Sequence, residues 1–574
     1  MNLQAIYTEK NNCQDCYKCI RQCPVKAIKM KNHSASIIND LCIECGHCIL
    51  ICPIGAKRFR DDTKAVKMLL KTGVRVIASL APSYAAEYGT DSKNNMISAL
   101  KKLGFWKVSE TAIGADLYNQ SATQFLDKKA KGLFFSSCCP SVVSLIRKYY
   151  PQHLNKIMPL QSPMYLHAQY LKEHYGPQIK VVFIGPCIAK KCESTEKPGW
   201  VDAALTYKEL NNWFEEEHIN LDEQLYNREY SFEPISAQAG SLYPIDGGLI
   251  NGLTKTATKN PIRTLAFSEV NNIKNILNNL TEDDGNELTF VELMACSGGC
   301  INGPTAQSQR SLISKISATQ KQFHQVEKTE EVQLHKSDAI EHIYSPFSLK
   351  VDQEPDEKEM NEVLTSVGKT TEKDELNCSG CGYESCRHFA RALILGKAER
   401  SMCVSYMRKV ANNKASVLLQ KMPYGVFMVD EKLKIIESNY PFAKILGPET
   451  EELFTEIPGL EGAYLDLLIP SQKLFANFLS SGEESMEKDI RINKKIFHIS
   501  LFTIQKHKIL CGIIQHLNTA EVLEDEIVKR TQAVIRENLS TVQKVAYLLG
   551  ENASRTEVVL NSIIESHNKP KGND

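Results

Sequence analysis

Cysteine carries the chemistry of this sequence. Nineteen of its 574 residues are cysteine, and all but Cys511 fall into tight groups. Thiolates are soft ligands for iron and zinc, and grouped cysteines in a reducing compartment argue for metal ligation over disulfides. Cys13, Cys16, Cys19 and Cys23 are spaced C-x2-C-x2-C-x3-C before Pro24, and Cys42, Cys45, Cys48 and Cys52 repeat the run before Pro53. Cys138 and Cys139 stand side by side in SSCCPS. Cys187 and Cys192 lie in IGPCIAKKCE, and Cys296 and Cys300 in MACSGGCING. Cys378, Cys381, Cys386 and Cys403 follow a C-x2-C-x4-C-x16-C spacing. Adjacent side chains point in different directions on an extended backbone, so Cys138 and Cys139 have different tasks.

The first two runs have the spacing of a bacterial two-cluster ferredoxin, in which the fourth cysteine of each run serves the other cluster. One [4Fe-4S] cluster then takes Cys13, Cys16, Cys19 and Cys52, and the other takes Cys42, Cys45, Cys48 and Cys23. Zinc sites commonly use two separated pairs, so two complete four-cysteine runs make zinc remote here. Gly46 and Gly55 suit a backbone that wraps closely around a cluster. For Cys378, Cys381, Cys386 and Cys403 the spacing alone leaves zinc open. The wider stretch LNCSGCGYESC…GKAERSMC resembles a small [4Fe-4S] domain, with Phe389, Ala390, Leu393 and Ile394 at helical spacing.

These groups need elements to hold them. VRVIASLAP, KGLFFSSCCP and KVVFIGPC each read as a buried strand running into a loop, with a helical stretch after it. That is α/β architecture with its chemistry at the carboxyl ends of strands. At ~150 residues per domain the length predicts about four domains. With 68 basic and 68 acidic residues the formal net charge is zero, so no global field favours nucleic acid or an anionic membrane. The start of the chain lacks a signal-peptide pattern, and no apolar run approaches the ~18 residues of a membrane span. The expectation is a soluble cytoplasmic protein, and iron–sulfur chemistry points to an anaerobe.

The three middle loops resemble the cluster-binding signatures of the [FeFe]-hydrogenases. Ser137-Cys138-Cys139-Pro140, the run from Pro186 to Glu193, and the run from Met294 to Gly303 match in order. Ala81-Pro82-Ser83, Gly114-Ala115-Asp116, Ser162-Pro163 and Gly247-Gly248 add to the match. The resemblance implies an H-cluster: a [4Fe-4S] cubane joined by a cysteine sulfur to a two-iron unit carrying CO, cyanide and an azadithiolate bridge. It implies that Cys139, Cys187, Cys296 and Cys300 hold the cubane and that Cys300 bridges to the two-iron unit. Lys190 would donate to one cyanide and the Pro82–Ser83 segment to the other. Met294, Gly185 and Met164 fall at cofactor-contacting positions. Cys138 is then the proton relay, a thiol whose unperturbed pKa of ~8.5 suits exchange near neutrality.

The sequence also departs from that family. Efficient members carry glutamates after the segment matching Gly114-Ala115-Asp116, whereas this chain reads DLYNQSATQF. Gly185 replaces a usual Met, Val142 or Val143 a usual Trp, and Met164 a usual Gln; Pro304 interrupts the final glycine run. Glu193 keeps its place and is a candidate for a different proton route. No expected cubane ligand is lost, so the expectation is slow chemistry.

Beyond a polar, charge-rich stretch near 352–375, residues 418–518 resemble a PAS domain. MPYGVFMVDEKLKIIESN reads as two strands around a turn, YPFAKILG as a helix ending at Gly447, and KKIFHISLFTI with KHKILCGIIQHL as closing strands. His498 reads as ordinary strand packing and Cys511 as a buried strand residue. Leu523, Ile527, Val534, Val542, Val545 and Leu549 then form an amphipathic stripe suited to pairing with a second copy or to packing on the chain itself. The expected fold class is multidomain α/β and α+β. It comprises a two-cluster ferredoxin-like module (1–65), an α/β hydrogenase H-domain (70–345), a small helical [4Fe-4S] domain (366–410), a PAS domain (415–518) and C-terminal signalling or dimerisation helices (519–574). The resemblance is to the PAS-bearing, sensory branch of the family. It implies H2 and protons as substrates, four clusters in all counting the H-cluster, a ferredoxin or other redox partner, a phosphatase or kinase signalling partner, and a homodimer. The alternatives are a metabolic ferredoxin-linked hydrogenase and a non-enzymatic hydrogenase-like iron–sulfur protein.

Overall fold

The computed structural model describes residues 5–196, 198–221, 230–255, 261–324, 342–347, 355–469, 472–492, 495–516 and 535. The helices expected over 519–574 thus lie, but for Ile535, outside the described residues. The chain forms two compact units, Met1–Val404 and Ser405–Asp574. No helix among the described residues is long and apolar enough to cross a membrane.

In the first unit two parallel sheets supply the scaffold. One has four strands in the order Lys107–Glu110, Val76–Leu80, Lys180–Gly185, Ala203–Thr206; the other has three, Arg263–Ser268, Leu288–Met294, Gly132–Phe135. Leu80 pairs with Ile184 at the end of the first sheet, and Phe135 with Val291 in the second. Val76–Leu80 and Leu288–Met294 are buried at every residue. That is the pattern of parallel strands covered on both faces, and it is why these segments read as unbroken apolar runs. Glu292 is the exception within LTFVELM.

The helices that follow the strands begin where the sequence directs. Pro140 opens Pro140–Tyr149 and Pro163 opens Pro163–Tyr175, at positions where a missing N–H costs nothing. Thr206 and Glu209 close a capping box on Tyr207–Glu216, satisfying two helix-end amides. The N-terminal module is built from the short ladders Ile6–Thr8 with Lys57–Phe59 and Ile28–Lys31 with Ser34–Ile37, plus helices Lys18–Gln22 and His47–Leu50. It is fastened to the two-sheet body. Tyr149 Oη donates to Leu41 O at 2.6 Å, Lys274 Nζ to Pro24 O at 2.7 Å, and Arg60 Nη2 to Lys191 O at 3.1 Å.

The second unit holds a five-stranded antiparallel sheet in the order Ile435–Ser438, Gly425–Val429, Ile509–His516, Lys495–Gln505, Ser485–Ile492. Helices Tyr440–Leu446, Pro448–Glu456, Leu465–Leu468 and Gln472–Ser481 connect its second and third strands in sequence. Phe427 packs against Phe442 and Phe475 at ring centroid distances of 5.0 and 5.9 Å. Asn439 ties the corner: its Oδ1 accepts from Val426 N at 2.8 Å, and its Nδ2 donates to Tyr424 O at 2.8 Å. His498 faces Asp489 across the ladder at 2.8 Å, and Cys511 is buried. Ser485–Ile492 and Pro448–Glu456 escaped the sequence reading, because an exposed edge strand rich in charge carries little period-2 signal.

Candidate functional site

The loops that leave the two sheets converge. Pro82 follows Val76–Leu80, Cys187 follows Lys180–Gly185, Cys138 and Cys139 follow Gly132–Phe135, and Cys296 and Cys300 follow Leu288–Met294. Together they enclose a cavity of about 120 Å³, far more than the ~10–15 Å³ one water needs. Its wall is largely apolar, with Ala81, Pro82, Met164, Phe183, Pro244, Leu249 and Met294, and the polar groups reaching it include Cys138, Lys190 and Glu292. Close backbone approach shapes the final loop. Gly299 has φ +94°, and a Cβ there would lie 2.4 Å from Pro244 O.

The thiols face one another. Burial is the main influence on Cys296, and Cys300, Cys187 and Cys139 add to it, pushing its pKa well up. Cys187 is raised to about 11 by burial and then by Cys139, with Lys190 opposing. Four thiols held together in an apolar wall are costly as thiolates unless a cation compensates them. The donor set therefore fits an iron–sulfur cubane. Among the described residues no three His, Cys, Asp or Glu groups close on one ion; these thiols are spread around a space larger than an ion.

Adjacent cysteines diverge. Cys139 packs with Ile43 and Cys45 on the side of the N-terminal module, while Cys138 packs among Tyr118-side residues and Tyr243. Burial pushes the Cys138 thiol well above its ordinary pKa, with Lys190 and a Tyr118 hydrogen bond opposing. The ordinary thiol pKa expected for it does not hold in this setting: Cys138 is a neutral donor.

Lys190 and Lys191 also divide. Lys190 lines the cavity and donates to Glu193 Oε2 at 2.6 Å. Burial pulls its pKa down, but Glu193 outweighs this and the net direction is up, so the cavity meets an ammonium. Lys191 turns away and is fully buried between Asp62 Oδ2 at 3.0 Å and Glu209 Oε1 at 2.8 Å.

Some expected residues sit elsewhere. Glu193 is held by Lys190 and is absent from the cavity wall, so its part there is to position the ammonium. Ser83 hydrogen-bonds Tyr207 Oη at 2.7 Å and leaves Pro82 to face the cavity. Gly185 does not line the cavity, because the Phe183 ring fills the space that a Cβ at 185 would enter at 2.8 Å. Met164 and Met294 do line it. Asp116 is committed to the fold, accepting from Gln238 N and Gly240 N at 2.7 Å each.

Glu292 was missed by sequence reasoning. It is buried, and its Oε2 accepts from Ile250 N at 3.3 Å. Its Oε1 has no hydrogen-bond partner among the described residues. Burial raises its pKa to about 8, and Asp246 adds to the rise. Its carboxyl also acts on the Cys138 thiol. Asp246 is exposed and accepts from Ser268 Oγ at 2.8 Å. Cys138, Glu292 and Asp246 thus form a series of titratable groups from the cavity to solvent. A lone glutamate inside an apolar strand is the signal that would have exposed it.

The outlying thiols group as well. Cys19 is raised to about 11 by burial, with Lys57 opposing and Cys16, Cys13 and Cys52 adding. Cys45 is raised to about 12 by burial, with Cys23 among its neighbours, and Cys48 is raised by burial and then by Cys45. Backbone amides aim at several of these sulfurs: Ala56 N at Cys52 Sγ, 3.2 Å, and Ala27 N at Cys23 Sγ, 3.3 Å. Such donors stabilise cluster-bound sulfur. Cys381 is raised by burial with Cys403 and Cys378 near it, and Cys386 N accepts no such role but donates to Asn377 Oδ1 at 2.8 Å.

Comparison with known proteins agrees with this geometry. Residues 74–304 match the iron only hydrogenase large subunit, C-terminal domain; residues 5–53 match a 4Fe-4S dicluster domain, and residues 374–405 an Fe-S cluster family. The central two-sheet body is therefore of the iron-only hydrogenase large-subunit type, joined to iron–sulfur modules. Among individual relatives, the NADP-reducing hydrogenase subunit HndD of Solidesulfovibrio fructosivorans is 25% identical over 345 residues, covering 51% of this chain and 55% of that protein. Iron hydrogenase 1 of Clostridium pasteurianum is 26% identical over 285 residues, covering 40% and 49%. The chain spans about half the length of these two relatives. The cytosolic Fe-S cluster assembly factor narfl of Danio rerio is 26% identical over 323 residues, covering 43% and 77%. Among solved structures, an [FeFe]-hydrogenase variant from Chlamydomonas reinhardtii aligns with 50% of this chain and 100% of its own at TM-score 0.40 and 17% identity.

Proposed function

We propose that this chain is a sensory [FeFe]-hydrogenase that interconverts H2 with protons and electrons slowly and reports H2 or redox state. The observation that carries the reading is the single apolar cavity walled by Cys138, Cys139, Cys187, Cys296, Cys300 and the Lys190 ammonium. In this reading Cys139, Cys187, Cys296 and Cys300 hold the cubane, and Cys300 joins it to the two-iron unit. When bound, that unit supplies the iron at which H2 is split or formed. Lys190, steadied by Glu193, donates into the cavity, and a charge-assisted donor is what a buried anionic ligand requires. Pro82, Met164, Phe183 and Met294 keep water out. Cys138 gives or takes the proton at its Sγ, Glu292 is the next acceptor, and Asp246 exchanges with solvent.

Cys13, Cys16, Cys19 and Cys52 form one accessory cluster site in this reading; Cys42, Cys45, Cys48 and Cys23 form a second, and Cys378, Cys381, Cys386 and Cys403 a third. The five-stranded sheet and its connecting helices support a PAS module in the second unit. A ferredoxin or other redox partner, a phosphatase or kinase as signal receiver, and a homodimer belong to the same proposal. Infrared spectroscopy of the chain matured with the two-iron cofactor tests it. CO and cyanide bands with slow H2 uptake are expected. Absence of the bands would favour the non-enzymatic reading that the assembly-factor relatives suggest, and uptake at a metabolic rate would remove the sensory part.

A further inference from the structure

The C-terminal cysteine set does not stand apart from the N-terminal module. Residues 374–405 meet that module along a seam of main-chain contacts. Lys26 Nζ donates to Gly382 O at 2.7 Å and to Arg21 O at 3.0 Å. Asn32 N donates to Glu399 Oε1 at 2.8 Å, and Met30 N to Lys397 O at 3.1 Å. Gly382 has φ +93°, and a Cβ there would lie 3.1 Å from Arg21 N and 3.2 Å from its Cα. Both the backbone and the contact therefore favour glycine at this point.

The seam decides which thiols meet. Cys23 and Cys381 both act on the Lys26 ammonium, and both act on the Tyr383 phenol. On the opposite flank, Cys45 lines the central cavity and acts on Cys296. Cys45 and Cys23 are themselves neighbours. The sequence of thiols Cys296, Cys45, Cys23, Cys381 is thus continuous through the protein.

We propose that the Cys23, Cys42, Cys45 and Cys48 site is a branch point, and that Lys26 and Gly382 form the seam through which the C-terminal cysteine set exchanges electrons with it. The inference rests on reading both sets as [4Fe-4S] sites. Each exchange is one electron lost by one site and gained by the other, with no bond made or broken. The electrons originate in H2 oxidised at the cavity or in a one-electron reductant. A negative charge moves past a fixed ammonium whose field falls on both thiolate sets, so Lys26 favours the reduced state at either end. The C-terminal set then reads the redox state of the site next to the cavity.

The test uses the full chain reconstituted with four-iron clusters alone and reduced by dithionite, so no H2 chemistry enters. Electron paramagnetic resonance is expected to show magnetic coupling between the C-terminal site and the Cys23 site. Lys26→Met is expected to shift the midpoint potentials of these two sites downward together, leaving the Cys13 site where it is. Cys381→Ser, which removes the C-terminal site, is expected to slow the spin relaxation of the Cys23 site. Unchanged potentials in Lys26→Met at full iron content would overturn the proposal, as would unchanged relaxation in Cys381→Ser or coupling to the Cys13 site instead. Failure of the hydrogenase reading would show in the infrared bands of the matured cavity and not in these signals.

Discussion

Replacing Glu292 by glutamine separates the two roles a buried carboxyl can have. The substitution keeps the shape and removes the titration. In the cofactor-free fold, burial holds the Glu292 pKa at about 8 against an ordinary 4.5. Below pH 4.5 both folded and unfolded chains carry the proton, and the group leaves stability unchanged. Between 4.5 and 8 the unfolded chain releases the proton and the folded chain keeps it, so stability falls as pH rises, by ~1.4 kcal/mol per pH unit. By about pH 7 the accumulated cost is roughly 3 kcal/mol as an upper bound. Glu292→Gln removes this cost and should unfold at higher urea at about pH 7, while near pH 4 it should match the parent.

Turnover should move the other way. A positioned acid–base group contributes about 10²–10⁴-fold, and Glu292 is the carboxyl that reaches both the cavity and the Cys138 thiol. The matured variant should keep its CO and cyanide infrared bands while H2 uptake collapses. Two results would refute the reasoning. Uptake equal to the parent across the pH range would place the proton route elsewhere. Identical pH slopes of stability in parent and variant would mean that the folded chain does not hold the Glu292 proton.

Three further substitutions probe other parts of the site. Cys138→Ala should leave the infrared bands in place and lower H2 uptake by about 10²–10⁴-fold; unchanged uptake removes Cys138 from the relay. Lys191→Met strands Asp62 and Glu209, whose carboxylates lie 3.0 and 2.8 Å from its ammonium, and should cost about 3–5 kcal/mol in chemical denaturation. A loss below about 1 kcal/mol would show that those carboxylates find water. Lys57 is buried, donates to Ala35 O at 3.0 Å, and acts on both Cys19 and Cys48. Lys57→Met should therefore lower the potentials of both N-terminal cluster sites in a redox titration, and a shift of one site alone would contradict its placement between them.

Much of the site was legible because metal-binding spacing is a local property. The runs beginning at Cys13 and Cys42 and the loops around Cys139, Cys187 and Cys296 each announce themselves within a few residues. The strands that carry the loops were legible for a related reason: a parallel strand covered on both faces is a continuous apolar run, as Val76–Leu80 shows. What was hidden depends on pairs distant in sequence. Glu292 gains its meaning from the Gly247–Ile250 amides and from Cys138, more than a hundred residues earlier. The Ser83 hydroxyl was assigned to the cavity from its neighbours in sequence, and only the fold puts Tyr207 within 2.7 Å of it. Gly185 looked like a lost contact, because sequence does not reveal that Phe183 swings into the vacated space.

Two doubled residues show how one strand-to-helix corner serves both chemistry and fold. At the end of Gly132–Phe135, Cys139 packs toward Ile43 and Cys45 while Cys138 packs toward Tyr243. At the end of Lys180–Gly185, Lys190 faces the cavity while Lys191 closes a buried ion pair that includes Asp62 of the segment leading out of the N-terminal module. In each pair the two neighbours point to different sides, so a change that shifts the corner by one residue would exchange them. Such a shift would put the Lys191 ammonium in the cavity and leave Asp62 and Glu209 facing the Lys190 side chain, which is itself matched to Glu193. Cavity chemistry and module docking are therefore set by the same two turns of backbone. The local geometry is constrained from both sides, which accounts for a cavity wall that keeps its thiols and its ammonium while the residues around DLYNQSATQF differ from those of faster enzymes.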